Sequence, residues 1–282
     1  CTFCLWPQTI GGHKYRVRSA QNVADEMAYM KRLFPQVKEF FFDDDTFTAN
    51  LPRARETAKK LAPLGLTWSC NSRANLDYDS ISFFKDCGLR LFLVGYESGS
   101  DTILRNIKKG VTTDEMRRFT KDCHRAGVTV HGTFILGLPV ETPETIEQTI
   151  NFARELDVFS IQVSLAAPYP GTELFEHARM NGWFTQHDKT DLVEGDGFQQ
   201  STLEYPGLNK EQIFAALEEF YHRYYFNRFG KLLVPRKPSW RIFKSMLEDR
   251  DVFSRRLREG MEFFTSLAQR RGEPAGGKSP AN

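Results

Sequence analysis

Short apolar runs alternate with helical patterns along the first 180 residues, and this rhythm constrains the fold more than any other feature. Continuous apolar runs are typical of parallel strands that are covered on both faces. The runs lie at residues 37–42, 66–70, 89–95, 128–136 and 159–166, and helical spacing lies at 19–34, 51–62, 77–86, 113–126, 143–156 and 172–180. The pattern predicts an α/β fold with a parallel sheet, and leaves open whether the sheet is doubly wound or a barrel.

The bulk properties favour a cytoplasmic protein. The net charge of the 282 residues is +2, which predicts no nucleic-acid partner. No apolar stretch is long enough for a membrane span, and none resembles a signal peptide. Five cysteines, an odd number, argue against a disulfide framework. Three of them, Cys70, Cys87 and Cys123, stand alone and are expected to pack as small apolar residues.

The other two cysteines, Cys1 and Cys4, are separated by two residues at the start of the chain. This spacing lets two thiolates reach one metal centre, and thiolates favour zinc and iron–sulfur clusters. A zinc half-site, a redox pair and a chance spacing are the alternatives that this motif alone leaves open. The chain opens on Cys1 inside the motif, so we expect it to be a piece of a longer protein.

Unusual polar residues follow the carboxyl ends of the first three predicted strands, where the loops of α/β folds carry function. Asp43, Asp44 and Asp45 follow the first, and either bind a cation or polar ligand or form a solvated helix N-terminus. Arg73 follows the second strand, where a surface ion pair is nearly as good an interpretation as a ligand contact. Glu97 and Ser98 follow the third strand in the segment Tyr-Glu-Ser-Gly-Ser.

The fourth strand runs into the loop Gly137-Leu-Pro-Val-Glu141-Thr142, and the fifth ends in Pro-Tyr-Pro-Gly-Thr. A glycine turn before a helix capped by Thr142 is the alternative explanation of the former.

Taken in order over residues 1–180, these segments resemble the radical S-adenosylmethionine (SAM) family. Cys1-Thr-Phe-Cys4 is similar to the end of its CxxxCxxC motif, whose first cysteine would lie four residues before Cys1. The resemblance implies a [4Fe–4S] cluster on Cys1, Cys4 and that third cysteine, with SAM on the remaining iron. It also implies an open (β/α)6 barrel, similar to a TIM barrel and lacking its first strand here, with a helical C-terminal extension.

The same resemblance assigns the other residues to SAM. Phe3 would lie against the adenine, the three aspartates would bind the amino group, and Arg73 would bind the carboxylate. Glu97 would accept from the ribose hydroxyls or the amino group, and Ser98 beside it would also bind the cofactor. The loop containing Gly137 and Glu141 would pack under the adenine. No catalytic residue is assigned.

Past Pro206 the pattern changes, and we expect three parts: a barrel at 1–205, a helical region at 206–271 and a disordered tail at 272–282. The helical region comprises an aromatic-rich helix at 209–229 and basic helices from Trp240 to Arg271. These basic helices would pack on the barrel, or alternatively lie on the inner membrane.

The blend of motifs most resembles radical SAM proteins linked to a cobalamin-binding domain, and within them a group associated with hopanoid biosynthesis. That resemblance implies a 5′-deoxyadenosyl radical that removes hydrogen from a substrate and rearranges a hopanoid sugar-derived head group. A cobalamin-dependent radical methyltransferase and a non-catalytic binding module are the alternatives. The expected partners are a small or lipid-linked substrate and a reductase, flavodoxin or ferredoxin as electron donor, with cobalamin supplied through a domain outside this chain.

Overall fold

The computed structural model describes residues 1–9, 12, 14–185 and 202–226. Five parallel strands form one sheet in sequence order, β1 to β5. Consecutive parallel strands need a crossover each, and the intervening helices provide it. The strands are β1 (Phe40–Phe42), β2 (Trp68–Ser72), β3 (Leu89–Glu97), β4 (Thr129–Leu136) and β5 (Ser160–Leu165). The predicted α/β fold with a parallel sheet is therefore confirmed.

The α-helices of the described residues are α1 (Ala20–Leu33), α2 (Leu51–Leu61), α3 (Tyr78–Asp86), α4 (Asp101–Asn106), α5 (Thr113–Ala126), α6 (Pro143–Leu156), α7 (Glu173–Asn181) and α8 (Lys210–Phe226). Short 3-10 turns lie at Trp6–Gln8, Phe47–Ala49 and Ala62–Leu64. Side-chain caps begin most of these helices, and the Ser19 hydroxyl accepts from the Asn22 N–H at the start of α1. The sequence pattern located seven of the eight α-helices to within two or three residues and missed α4.

The core lies between the sheet and its helices. On β3, Phe92 and Tyr96 are buried against the helices, as is Phe134 on β4. The Tyr96 and Phe134 rings stack with their centroids 5.6 Å apart, and Phe220 of α8 packs on Phe134. Burial of these rings against helices fixes which face of each strand is turned outward.

Several strand boundaries differ from the prediction, by one to three residues. β1 begins at Phe40 rather than residue 37, because its partner begins at Trp68 and residues 37–39 have no strand residues to pair with. β2 extends two residues further than expected, to Ser72.

Residues Cys1–Tyr224 form one compact unit, and a second begins at Tyr225. The predicted basic helices and tail beyond residue 226 lie outside the described residues. No helix within the described part of the chain is long and apolar enough to cross a membrane.

Candidate active site

The turn that carries the first two cysteines lies at the carboxyl-end side of the sheet, held there by its own backbone. The Thr2 N–H donates to the Ile107 carbonyl at 3.0 Å, in the segment that follows α4. The Thr2 carbonyl accepts from the Leu174 N–H at 2.9 Å, in the first turn of α7. Because these segments follow β3 and β5, the turn is fixed to the loops beyond two strands.

This geometry leaves both thiols available. The Cys4 N–H donates to the Cys1 carbonyl at 3.2 Å, which closes the turn, while Thr2 is buried beneath it. Cys1 is exposed and Cys4 half-buried, and both are free thiols. Within the described residues no group of three or more possible ligands comes together. The turn therefore presents two thiols, and a cluster held by three cysteines would need one more ligand than the described residues bring together.

Phe3 lies between the two cysteines and is half-buried. Its place beside the thiols agrees with the predicted contact to a cofactor, and that contact stays a prediction.

Glu97 is turned toward the inner side of the sheet by a bulge at the end of β3. The strand register shifts between Gly95 and Glu97, and Glu97 has a φ of 66°, a conformation unusual for a residue with a Cβ. Its carboxylate folds back over Gly95, where a Cβ would lie 2.3 Å from Glu97 Oε1. Backbone strain of this kind is found where a side chain must be aimed at a site.

The partner of this carboxylate is Lys109, a residue that the sequence analysis missed. Lys109 Nζ lies 2.8 Å from Glu97 Oε1, and both side chains are about one-tenth exposed. The Arg73 guanidinium donates to the Lys109 carbonyl. The signal for Lys109 was the Lys-Lys-Gly turn at 108–110, directly after the short helix α4 that periodicity did not reveal.

The three aspartates border a cavity beside the opening segment. Asp43, Asp44 and Asp45 are exposed, and the Asn71 amide donates to Asp43 Oδ1 at 3.2 Å and to the Asp44 carbonyl at 2.8 Å. The cavity measures about 710 Å³. Its lining also includes basic and aromatic residues of the opening segment: Trp6, Lys14, Tyr15, Arg16 and Arg18. The acidic loop thus faces a cavity large enough for a small ligand, as a binding role requires.

The loop after β4 is held by a buried carboxyl group. Glu141 Oε2 accepts from the N–H groups of Gly137 at 2.6 Å and Leu138 at 3.3 Å. Burial raises the pKa of Glu141 to about 8, although these two hydrogen bonds oppose the shift. Tyr205 donates its hydroxyl to the Gly137 carbonyl at 2.8 Å. Glu141 therefore shapes the loop from within, rather than presenting its carboxylate to a ligand.

Ser98 is directed away from the other candidate residues. Its hydroxyl lies 3.0 Å from that of Thr149 on α6, and it accepts from the Ser100 N–H at 3.1 Å. The next residue, Gly99, lies so close to α6 that a Cβ would come within 2.5 Å of Phe152 Cβ. Ser98 and Gly99 therefore pack the end of β3 against α6. The predicted contact of Ser98 with SAM stays a prediction.

The structure therefore gathers most of the predicted site residues at the carboxyl ends of the strands and separates three structural cysteines from them. Cys70, Cys87 and Cys123 are buried, and burial raises the pKa of each thiol. A protonated, buried thiol is a poor metal ligand.

Comparison with known proteins identifies this arrangement. The model of the radical SAM superfamily matches residues 1–153, more than half of the chain. An uncharacterised methyltransferase of Pyrococcus horikoshii is 35% identical over 184 residues, covering 64% of this chain and 40% of that protein. Cytidylyl-2-hydroxyethylphosphonate methyltransferase of Streptomyces wedmorensis is 26% identical over 247 residues, covering 84% of this chain and 45% of that protein. This chain thus spans less than half the length of either relative.

Among solved structures, the fold is similar to that of TsrM, a radical SAM methyltransferase from Kitasatospora setae with cobalamin and a [4Fe–4S] cluster bound. The TM-score is 0.66 at 18% identity, covering 78% of this chain and 50% of that one. At this identity the likeness concerns the fold, and it agrees with the predicted barrel of the radical SAM type.

Proposed function

This chain belongs to the radical SAM superfamily, and from that premise we propose that it is the barrel portion of a cobalamin-dependent radical SAM methyltransferase. The observation that carries the proposal is the match to a named methyltransferase over 84% of this chain. The solved structure of similar fold is also a methyltransferase and holds both cobalamin and a [4Fe–4S] cluster.

The cofactors of this class are the [4Fe–4S] cluster and SAM, with cobalamin as the methyl carrier in the proposed subgroup. The bound cofactors supply the one-electron cleavage of SAM and the methyl group, and the protein positions and shields the reactants. In this chain, Cys1 and Cys4 would hold the cluster as thiolates, with Phe3 beside them.

The residues around the turn have separate tasks in this proposal. The paired charges of Glu97 and Lys109 lie in a buried position where each interaction with a polar ligand is strengthened. Glu97 would accept from hydroxyl or ammonium groups of SAM, while Arg73 would bind its carboxylate by paired hydrogen bonds. The Glu141 carboxyl group holds the loop through the N–H groups of Gly137 and Leu138, so the loop would offer a fixed surface under the adenine.

The acidic loop at Asp43–Asp45 would bind the SAM amino group from the other side. Its carboxylates line the cavity and are exposed, so they would bind a cationic group with little loss of their own hydration.

Rearrangement of a hopanoid head group was the favoured expectation from sequence. The named relatives above are methyltransferases, so they favour the cobalamin-dependent alternative, and the hopanoid substrate stays a prediction from sequence alone. A non-catalytic module is disfavoured, because the relatives named above are methyltransferases.

The experiment that tests methyl transfer uses the longer protein, carrying the third cysteine, with cluster and cobalamin reconstituted anaerobically. After reduction with SAM bearing a deuterated methyl group, S-adenosylhomocysteine and 5′-deoxyadenosine are both expected, since methyl transfer and radical formation each consume SAM. The Cys4→Ala variant should lose 5′-deoxyadenosine. Formation of 5′-deoxyadenosine with no S-adenosylhomocysteine would contradict the methyltransferase and favour rearrangement.

A further inference from the structure

The inner face of the sheet carries side chains that alternate with those packed against the helices. On β4 the buried residues Val130, Phe134 and Leu136 face outward, and the intervening residues stay half-buried. On β5 the same alternation leaves Gln162 exposed between buried Ile161 and Val163. We use the name inner face for eight such positions: Leu91, Leu93, His131, Thr133, Ile135, Ser160, Gln162 and Ser164.

This inner face is divided in chemistry. On β3 it is apolar, with Leu91 and Leu93, whereas on β4 and β5 five of its six positions are polar. The strand register sets the two parts side by side, because Leu93 pairs with His131 and His131 pairs with Ser160. One rung further along, Thr133 pairs with Gln162. A ligand on this face therefore meets leucine side chains at one side and hydrogen-bonding groups at the other.

A fixed imidazole stands at the centre of the polar part. His131 Nδ1 lies 2.7 Å from the Ser160 hydroxyl, which sets the orientation of the ring. Burial lowers the pKa of His131, which favours the neutral form of the ring. No described residue is hydrogen-bonded to its Nε2, which leaves one polar atom of a fixed ring available to a ligand. A half-buried polar atom of this kind is normally satisfied by a ligand or water.

Formal charge is absent from all eight inner-face positions. The adjoining charges of Glu97 and Lys109 neutralise each other at the carboxyl end of β3. Binding a phosphate or an ammonium group here would desolvate that charge with no opposite charge to receive it, which is costly. A hydroxyl, carbonyl or amide is satisfied by neutral imidazole, amide and hydroxyl groups.

We propose that the inner face binds the substrate as an amphiphile, with an uncharged hydroxyl- or carbonyl-bearing group on His131, Ser160 and Gln162 and an apolar body on Leu91 and Leu93. The proposal rests on the proposed function, because it assigns the substrate class of that same barrel. His131 and Gln162 are binding residues in it, and the reacting atom lies further toward the carboxyl ends of the strands, where the cysteine turn is held.

Three probes with the same eight-carbon tail separate the ligand classes: octyl glucoside, octyl phosphate and octylammonium, each titrated below its micelle concentration. Binding to the chain is followed by the histidine ring signals in NMR. Octyl glucoside is expected to saturate a site and shift the His131 ring signals, and the two charged probes to bind roughly tenfold more weakly or worse. Equal affinity for a charged probe, or no saturation by any probe, would overturn the proposal.

Single-residue variants then test whether octyl glucoside binds at the inner face. His131→Phe keeps a ring of similar shape and removes its polar atoms, and it should weaken octyl glucoside binding by roughly tenfold. Gln162→Leu should weaken it severalfold, and because Gln162 is exposed this variant tests the proposal even where His131→Phe fails to fold. His177→Phe, on α7 and away from the inner face, is the matched control and should bind as the unmodified chain does.

Binding of octyl glucoside unchanged in both inner-face variants would overturn the assignment. So would a site that is present in this chain and lost in the longer protein, because another segment would then cover the face. The titration needs no cluster, SAM or cobalamin, so its failure would leave the methyl-transfer result standing. The octyl glucoside titration could likewise be interpreted if methyl transfer failed.

Discussion

At the scale of single residues, the stability of the buried Glu97 carboxylate depends on its ion pair with Lys109. Glu97 is placed in a buried position by a bulge and a positive φ, and among the described residues its ion-pair partner is Lys109 on the neighbouring turn, whose charge offsets the desolvation of the carboxylate. The Arg73 guanidinium contacts the backbone of Lys109 rather than its amine, so it holds the turn in place.

Replacing Lys109 by Met keeps the length of the side chain and removes its charge. We expect Lys109→Met to lower the free energy of unfolding by about 3 kcal/mol, because Glu97 is left buried without its partner. The double variant Lys109→Met with Glu97→Gln should recover most of this loss, since the uncompensated charge is gone. Urea unfolding of the two variants measures both effects, and equal losses in the two would contradict the account.

Glu141 gives the molecule a pH dependence of stability that a surface carboxylate would not. Its folded-state pKa of about 8 lies above the ordinary value of 4.5, because burial disfavours the charged form. The folded protein thus keeps a proton that the unfolded chain releases as the pH rises above 4.5. The stability associated with this proton is complete below pH 4.5 and is lost as the pH rises through 8.

We therefore expect the free energy of unfolding to fall by about 4 kcal/mol between pH 5 and pH 9 on account of this group, at about 1.4 kcal/mol for each pH unit up to pH 8. Glu141→Gln should flatten that slope, because the side chain no longer titrates. Glu144→Gln, three residues further on and fully exposed, is the control and should leave the slope unchanged. An unchanged slope in Glu141→Gln, measured by urea unfolding at each pH, would contradict the buried titration.

At the scale of elements, the cysteine turn depends on backbone hydrogen bonds to two loops that are far apart in sequence. The Thr2 N–H and carbonyl reach Ile107 and Leu174, so the position of the thiols depends on the loops that follow β3 and β5. Side-chain chemistry at Thr2 is secondary in this arrangement.

Thr2→Pro tests that dependence, because proline lacks the N–H that donates to Ile107. We expect iron incorporation into the longer protein after anaerobic reconstitution to fall severalfold. Thr2→Val keeps the N–H and nearly the same shape, and it should load iron as the unmodified protein does. Equal loading in the proline variant would show that the backbone contact does not position the cysteines.

The junction of β3 with α6 is the second element-scale constraint. A Cβ at Gly99 would lie 2.5 Å from Phe152 Cβ and 2.7 Å from the Gln148 carbonyl oxygen, both of which belong to α6. Gly99→Ala should destabilise the protein by about 2 kcal/mol, because the helix must move away from the strand. Gly132→Ala, whose Cβ meets only side-chain atoms at 3.1 Å or more, should cost less. The ranking is read from thermal unfolding, and a reversed order would contradict it.

The alternation of apolar runs and helical spacing predicted all five strands, because burial on both faces leaves a strong signal in the sequence. It did not predict α4, whose six residues are too few for a periodic pattern, and so it missed the turn carrying Lys109. The bulge at Glu97 was also beyond prediction, since a local register shift depends on how β3 pairs with β4. Ser98 and Glu141 were placed on the correct loops, yet their side chains bond within the protein, which depends on tertiary packing.

At the scale of the whole molecule, the candidate site is assembled from segments that are contiguous only in the fold. The opening turn, the acidic loop after β1 and the loops after β2, β3 and β4 all lie at the carboxyl ends of parallel strands, as in other α/β barrels. Strand order therefore predicted which residues would gather. The charge pairing of Glu97 with Lys109 and the anchoring of the cysteine turn depend on tertiary contacts, which strand order does not reveal.

The central claim is that Cys1 and Cys4 hold an iron–sulfur cluster to which SAM binds. Its most direct test is the electron paramagnetic resonance spectrum of the reduced, reconstituted longer protein, recorded with and without SAM. The account predicts a [4Fe–4S] signal that changes when SAM is added, present in Cys70→Ala and absent in Cys4→Ala, because Cys70 is buried in the core. A cluster signal that survives in Cys4→Ala, or one that SAM does not alter, would contradict it.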